Sequence, residues 1–261
     1  GVIRMNMATG AQQVFYTDGK VSGSNAYCIY RDRKKRLWAA SMDGANLFDE
    51  GQQKFCKIKL FKSLTIDIKA DPQGNVWFAT QGDGLWRLDK NNVWKQYKHV
   101  ENDSTSLVSD QVNCLAIGEK GQLYAATSEG LCEFLPSKGI FRRISIDAPS
   151  QDFTSLVISQ GVMWISTSKG IVKYTPGEPV QLFNKYDGLT CDQFMPNAGL
   201  LASDGRIYFG STRGFNCFYP YLVKINQVAP PVAITSVELF GQPIEAGSDQ
   251  LEKSLSHAAE L

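Results

Sequence analysis

Five times along the chain the same short sentence recurs: Leu37-Trp38-Ala39-Ala40-Ser41, Val76-Trp77-Phe78-Ala79-Thr80, Leu123-Tyr124-Ala125-Ala126-Thr127, Met163-Trp164-Ile165-Ser166-Thr167 and Ile207-Tyr208-Phe209-Gly210-Ser211. Each copy runs through a few polar residues into a glycine. Those glycines, Gly44, Gly84, Gly130, Gly170 and Gly214, stand 40, 46, 40 and 44 residues apart. A period of this size belongs to a tandem array and not to one irregular globule.

The copies share more than the aromatic residue. Six residues before it the first three carry Asp32, Asp71 and Gly118, and three residues earlier again stand Ile29, Ile68 and Leu115. Gly74, Gly121, Gly161 and Gly205 place a turn just ahead of the aromatic in the later copies. After the second glycine an alternating run follows, as in Leu85-Trp86-Arg87-Leu88 or Ile171-Val172-Lys173-Tyr174, and Val93–Tyr97 and Val180–Phe183 supply a fourth segment. Period-two alternation bounded by turn residues reads as strands, and four short strands in 40 to 46 residues is the size of one propeller blade. A helical solenoid of similar period would need apolar residues three and four apart, and no segment shows them. The expected fold class is therefore all-β, a β-propeller of four-stranded blades.

Composition agrees. Aromatic residues at 11% and 23 glycines in 261 residues suit many short strands and tight turns. Lys plus Arg is 27 against 26 for Asp plus Glu, and a net charge of +1 offers no electrostatic footprint for nucleic acid or an anionic membrane. No segment approaches the roughly eighteen consecutive apolar residues that span a bilayer.

The chain opens in mid-blade. Gly1–Asn6 resembles the strand after a repeat glycine, and Gln13–Tyr16 matches the fourth strand of that same blade. Five fuller units follow, the last closing near Tyr221–Asn226, so about five and a half blades are present. Unpaired sheet edges invite association, and preceding blades are expected in the parent protein. At Pro230-Pro231 the repeat stops. Val232–Phe240 alternates as a strand and Gly241-Gln242-Pro243 turns, so 1–228 is assigned to the C-terminal part of a propeller and 229–261 to the start of a second domain. Roughly thirty residues are too few to hold a core alone.

The blade sentence, the connectors Tyr16-Thr17-Asp18-Gly19, Tyr186-Asp187-Gly188-Leu189 and Asn102-Asp103-Ser104-Thr105-Ser106-Leu107, and the Pro230-Pro231 exit closely resemble the two-component regulator propellers of Bacteroides-type hybrid sensors. The match covers nearly the whole chain. It departs at Lys34-Lys35-Arg36, where the family turns with glycine, and at Ser159-Gln160-Gly161, one residue shorter; both lie in turns, where sequence is tolerated. The resemblance implies a propeller in a seven-bladed ring, followed by an immunoglobulin-like β-sandwich, a membrane helix and a histidine kinase. It implies a homodimeric periplasmic sensor of an inner-membrane protein that detects an oligosaccharide and controls polysaccharide-utilisation genes. It implies no cofactor and no catalytic residue in this region.

The residues themselves leave a propeller lyase or glycosidase, or a passive interaction scaffold, as alternatives. A Ser-His-Asp arrangement could use only His99, which reads as a solvated connector residue. Asp43, Asp83, Glu129 and Asp187 could converge as paired carboxylates, although most are explained as turn formers. The cysteines, Cys28, Cys56, Cys114, Cys132, Cys191 and Cys217, contain no Cys-x-x-Cys pair and so give no zinc signature. Cys28 and Cys114 hold the same place in two blades and read as small buried residues too far apart to bridge.

Trp38, Trp77, Tyr124, Trp164 and Tyr208 recur in phase, which assigns them to packing between blades; truncating one should cost about 3 to 5 kcal/mol. Recognition is expected where residues do not repeat. In a four-stranded meander the turn between strands two and three shares an end with the connector between blades. That end gathers Asp43, Asp83, Glu129, Lys169 and Arg213 with Asn25, Asp110, Asp152 and Gln193. Trp86 breaks phase as well, standing where other blades have Asn46, Cys132, Val172 and Asn216. The ligand-binding candidates are Asp43, Asp83, Trp86, Glu129, Lys169 and Arg213.

Overall fold

A computed structural model describes residues 1–16, 25–223, 238–239 and 242–243. Gly1–Leu222 forms one compact unit. It opens with a two-stranded antiparallel sheet, β1 (Val2–Met5) and β2 (Gln12–Phe15). Four four-stranded meanders follow. The first is β3 (Ala26–Arg31), β4 (Leu37–Ser41), β5 (Gly44–Asp49) and β6 (Lys54–Lys57), and the second is β7 (Thr65–Ala70), β8 (Val76–Thr80), β9 (Leu85–Leu88) and β10 (Trp94–Tyr97). The third is β11 (Val112–Ile117), β12 (Leu123–Thr127), β13 (Gly130–Leu135) and β14 (Ile140–Ile144), and the fourth is β15 (Phe153–Ser159), β16 (Val162–Thr167), β17 (Gly170–Tyr174) and β18 (Gln181–Phe183). A fifth blade has β19 (Phe194–Leu201), β20 (Ile207–Ser211) and β21 (Gly214–Phe218). Pro220–Leu222, at the start of the stretch Tyr221–Asn226 where this unit was expected to close, forms a 3-10 turn, and 224–226 lie outside the described residues. The all-β propeller of four-stranded blades is borne out.

The recurring sentence has a local cause. Its fifth residue is always Ser or Thr, and in every blade that hydroxyl donates to the carbonyl of the following repeat glycine: Ser41 to Gly44 at 2.9 Å, Thr80 to Gly84 at 2.7 Å, Thr127 to Gly130 at 2.8 Å, and Thr167 to Gly170 and Ser211 to Gly214 at 3.0 Å. The turn backbone is thus held from inside, and its outward residues are left unspecified. At Gly84 (φ +71°) and Gly170 (φ +118°) a side chain is excluded twice over. The conformation is left-handed, and a Cβ would collide with the carbonyl oxygen of Tyr97 or Phe183 on the outermost strand. Where the first and fourth hairpins depart from the glycine pattern, Lys35 (φ 64°) and Gln160 (φ 52°) themselves adopt the left-handed conformation.

The core lies in layers between successive blades. Trp38 packs on Phe78 of the next blade with centroids 5.1 Å apart, and Trp77 packs on Phe134 at 4.7 Å. Trp38, Trp77, Tyr124 and Trp164 are buried, while Tyr208 in the last blade is half-buried. The aspartates six residues upstream explain part of the sentence: Asp32 accepts from the Trp38 indole at 2.9 Å and Asp71 from Trp77 at 2.8 Å. Burial works against the Asp32 carboxylate, but the Trp38 and Arg36 donors outweigh it and hold its pKa below the ordinary value. Ile158 replaces aspartate in the fourth blade, and the Trp164 indole N–H has no partner among the described residues. Ile68 and Leu115 are buried as inner-strand residues, whereas Ile29 is 50% exposed, because only the two outer strands β1 and β2 precede its blade.

Inner strands β7, β11, β15 and β19 gather around one axis, and Asn197 on β19 donates to the Ile66 carbonyl on β7 at 2.9 Å. Between them sits a fully buried carboxylate, Asp67. It accepts from the Leu115 N–H of the third blade and from Lys69 Nζ, both at 2.9 Å, and from the Cys28 thiol of the first blade at 3.6 Å. Cys28 is therefore half-buried and polar in its contacts, a correction to its reading as a small hydrophobe, while Cys114 is buried; all six thiols are free.

In Val223–Leu261, the second compact unit, the described residues form a small hairpin. Glu238 pairs with Pro243 and Leu239 with Gln242, so Gln242 and Pro243 belong to a returning strand and not to the expected turn. The connector 17–24, the Pro230-Pro231 exit and the rest of the expected β-sandwich lie outside the described residues.

Candidate functional site

At one end of each blade the turn between the second and third strands is sutured to a connector. Within blades, Met42 N–H donates to Asn25 O, Gln81 to Leu64, Ser128 to Gln111 and Thr212 to Gln193, at 2.9 to 3.3 Å. Between blades, Gly84 N–H donates to Asp110 O at 3.0 Å and Gly170 N–H to Asp192 O at 2.8 Å. This is the end where Asp43, Asp83, Glu129, Lys169 and Arg213 stand, and its character changes along the array.

The first three blades present carboxylates. Asp83 accepts from Ser63 at 3.1 Å, and Lys98 Nζ lies 3.6 Å from both Asp83 and Asp110. Glu129 accepts from Ser109 at 3.2 Å, and Asp43 is exposed. A polar chain crosses three blades here: Gln81 Nε2 donates to Asn113 Oδ1 at 3.2 Å, and Asn113 Nδ2 donates to Asp152 Oδ1 at 3.3 Å. Burial raises the Asp152 pKa, and the Asn113 bond only partly counters it.

The fourth and fifth blades present cations around a recess of about 680 Å³. Lys169 and Arg213 come from the variable turns, and Lys185 comes from the connector between the two blades. That connector is built to hold its shape. Asn184 and Asp187 form a reciprocal cap on the 3-10 turn Lys185–Asp187, and Gly188 closes it with φ +99°. Asp192 Oδ1 then accepts from Lys185 N–H at 2.7 Å. The fixed connector leaves Tyr186 85% exposed at the rim, with Lys185 Nζ 5.0 Å from its ring centre. Cys191 also lines the recess. Burial pushes its thiol up, but hydrogen bonds from Ser211, Thr212 and the main chain of Gln193 and Arg213 together bring the pKa below its ordinary value.

Two of the six candidate residues, Lys169 and Arg213, thus share one recess. Asp83 and Glu129 are each held by hydroxyl groups of their own blade. Trp86 stands in the wall between the first two blades, its ring 5.6 Å from Phe61 and 6.5 Å from Trp94. Asp187 caps the 3-10 turn, and His99 Nδ1 donates to the Leu107 carbonyl at 2.9 Å, so both have structural employment. Lys185, Tyr186 and Asp192 were not expected at the site, because the connector is not part of the repeat; Tyr186 entered the sequence reading only within the connector Tyr186-Asp187-Gly188-Leu189. Its Asn184-x-x-Asp187-Gly188 capping signal was there to be found. Asp67 escaped too, although it stands in phase with Cys28 and Cys114.

No family model matches the chain. A curated protein does: histidine kinase P4 of Formosa agariphila is 31% identical over 197 residues, 72% of this chain. The chain is a sequence relative of a histidine kinase. It spans 14% of the length of that protein. Among solved structures, the extracellular domain of a hybrid two component system from B. thetaiotaomicron has a TM-score of 0.52 at 15% identity, covering 91% of this chain and 40% of that one. Virginiamycin B lyase from Staphylococcus aureus has a TM-score of 0.60 at 12% identity, covering 85% and 78%. At such identities the likeness is one of fold, and one fold carries both a sensor domain and a lyase. The resemblance to two-component sensor propellers that the blade sentence carries is borne out.

Proposed function

We propose that the chain is the ligand-sensing part of the extracytoplasmic region of a hybrid two-component sensor. Its cue is an oligosaccharide, and a kinase outside this chain converts occupancy into transcription of polysaccharide-utilisation genes. The observation that carries this reading is the relatedness to a histidine kinase over most of the chain. The turn end supports it: the scaffold repeats while the presented side chains change from blade to blade, which suits a polar, asymmetric ligand. In this reading 1–228 belongs to a seven-bladed ring and 229–261 begins the β-sandwich. The parent is a homodimer in the periplasm, anchored in the inner membrane. No helix among the described residues is long and apolar enough to cross a membrane. A ligand acts by binding one arrangement of domains or subunits better than another, and the signal cannot exceed that difference in affinity.

A lyase or glycosidase would need carboxylates or His99 free to face one reacting point. Asp83, Glu129, Asp187 and His99 each have local partners instead; Asp43, exposed on the first blade, is the remaining carboxylate of that set, and one carboxylate does not make the pair such chemistry needs, so the binding reading is preferred. The test is calorimetric titration of the chain with a panel of defined oligosaccharides, with chromatographic analysis of the same samples. Saturable binding with the oligosaccharide recovered intact is the expected result. Shortened or unsaturated products would replace the sensor reading with an enzymatic one.

A further inference from the structure

We propose that the recess between the fourth and fifth blades selects an anionic glycan, one bearing carboxylate or sulfate groups, over a neutral one. This rests on the oligosaccharide reading above and narrows it to a chemical class and a place. Lys169, Lys185 and Arg213 line the recess together, and among the described residues none of the three has a carboxylate within 4.0 Å. The carboxylate beside them, Asp192, has Oδ1 occupied by the Lys185 N–H. Asp187, next along the connector, is turned onto the Asn184 N–H at 2.9 Å. With three cations against the one carboxylate of Asp192, the lining of the recess attracts an anion that enters it.

Two further features bear on the ligand. Tyr186 stands at the rim as an exposed ring beside Lys185 Nζ, a surface on which the C–H face of a sugar can lie while its acidic substituent meets the cations. On the first three blades the same end carries Asp43, Asp83, Asp110 and Glu129, with Lys98 3.6 Å from both Asp83 and Asp110. Cations without a carboxylate partner at this recess, and carboxylates on the other blades, favour an anion at the fourth and fifth blades over the first three. Glycans with uronate and with sulfate offer the same chemistry to an ammonium or guanidinium group; Arg213 can take either in a forked pair.

The experiment titrates the intact chain with tetragalacturonate, a sulfated galactan tetrasaccharide and neutral cellotetraose, at about 20 mM and about 300 mM salt. Binding of at least one of the two acidic glycans is expected, with cellotetraose unbound, affinity falling about tenfold across the salt range, and a further loss of about tenfold in the Lys169→Ala, Lys185→Ala, Arg213→Ala triple variant. All three positions are exposed, so that variant folds, and circular dichroism verifies it. Lys138→Ala, an exposed lysine in the turn between β13 and β14 at the opposite end of the third blade, serves as the control and leaves affinity within about twofold. The two acidic arms distinguish uronate from sulfate. Acidic binding that the triple variant leaves intact removes the recess as the site. Binding of cellotetraose as tight as that of the acidic glycans removes the anionic selectivity while leaving the oligosaccharide sensor standing. Absence of binding to any member of this set or of the wider neutral panel removes both.

Discussion

At the scale of the residue, the repeat glycines are not equivalent, although the sequence writes them identically. Gly170 and Gly214 share a left-handed φ, +118° and +112°, yet a Cβ at Gly170 meets the Phe183 carbonyl while one at Gly214 meets nothing within 4 Å. Gly170→Ala should therefore lose about 3 kcal/mol and Gly214→Ala about 1 kcal/mol, read as the difference in urea midpoints at constant slope. Equal losses would mean that conformation alone, and not the neighbouring strand, sets the requirement. The repeat tryptophans divide in the same way. Trp77→Phe strands the buried Asp71 carboxylate without its indole donor, whereas the Trp164 indole has no acceptor to lose. We expect the first to be more destabilising than the second by about 2 kcal/mol, measured under identical denaturation conditions.

At the scale of the element, the inner strands are joined by a polar node that alternation could not reveal. Period two says which residues of β7 face a neighbour, and it reads Asp67 as one more alternating residue. That β3, β7 and β11 converge on it depends on strands 39 and 48 residues away. The node makes an alkaline prediction. Burial first, and then the charge of Asp67, moves the Cys28 thiol from its ordinary 9.0 up to about 11, and the same causes raise Cys114. Burial alone would lower Lys69, but the adjoining Asp67 carboxylate reverses this and leaves its pKa raised. The folded chain keeps these protons where the unfolded chain has released them. The stabilisation from Cys28 is complete below pH 9 and is lost as pH rises from 9 to about 11, while that from Cys114 goes on falling beyond; each thiol costs about 1.4 kcal/mol per pH unit where only the unfolded chain has released its proton. In a Cys28→Ala, Cys114→Ala variant the plot of urea midpoint against pH should be flatter over that window. An unchanged slope would place the alkaline loss elsewhere.

At the scale of the whole molecule, the array is legible from sequence because a blade is a local object. Strand order and turn positions follow from residues fewer than fifty apart. The candidate site was legible only in part, since a recess arises where a repeat turn meets an irregular connector: Lys169 and Arg213 could be named from their phase, Lys185 and Tyr186 could not. The same locality leaves the two ends of the array apolar. Ile3, Val14 and Ile29 are 47 to 60% exposed at one end, and Leu200 and Phe215 are 58 and 64% exposed at the other. Unlike surfaces that meet head to tail close into a ring only where the rotation between copies returns to its start, and otherwise add copies without limit. Sedimentation velocity of this chain should show mass rising with concentration, and Ile29→Lys together with Phe215→Lys should hold it at the monomer. A wild-type chain that stays monomeric at every concentration would show that these ends do not stick.

Because the Ser or Thr hydroxyl holds each hairpin from within, the solvent-accessible positions between it and the repeat glycine can be randomised together, blade by blade, with little penalty in folding. A display library built at 42–43, 83, 128–129, 168–169 and 212–213, with Gly82 kept for its left-handed φ of +110°, would scan the turns of all five blades, turning a sensing surface into an engineering scaffold for carbohydrate binders.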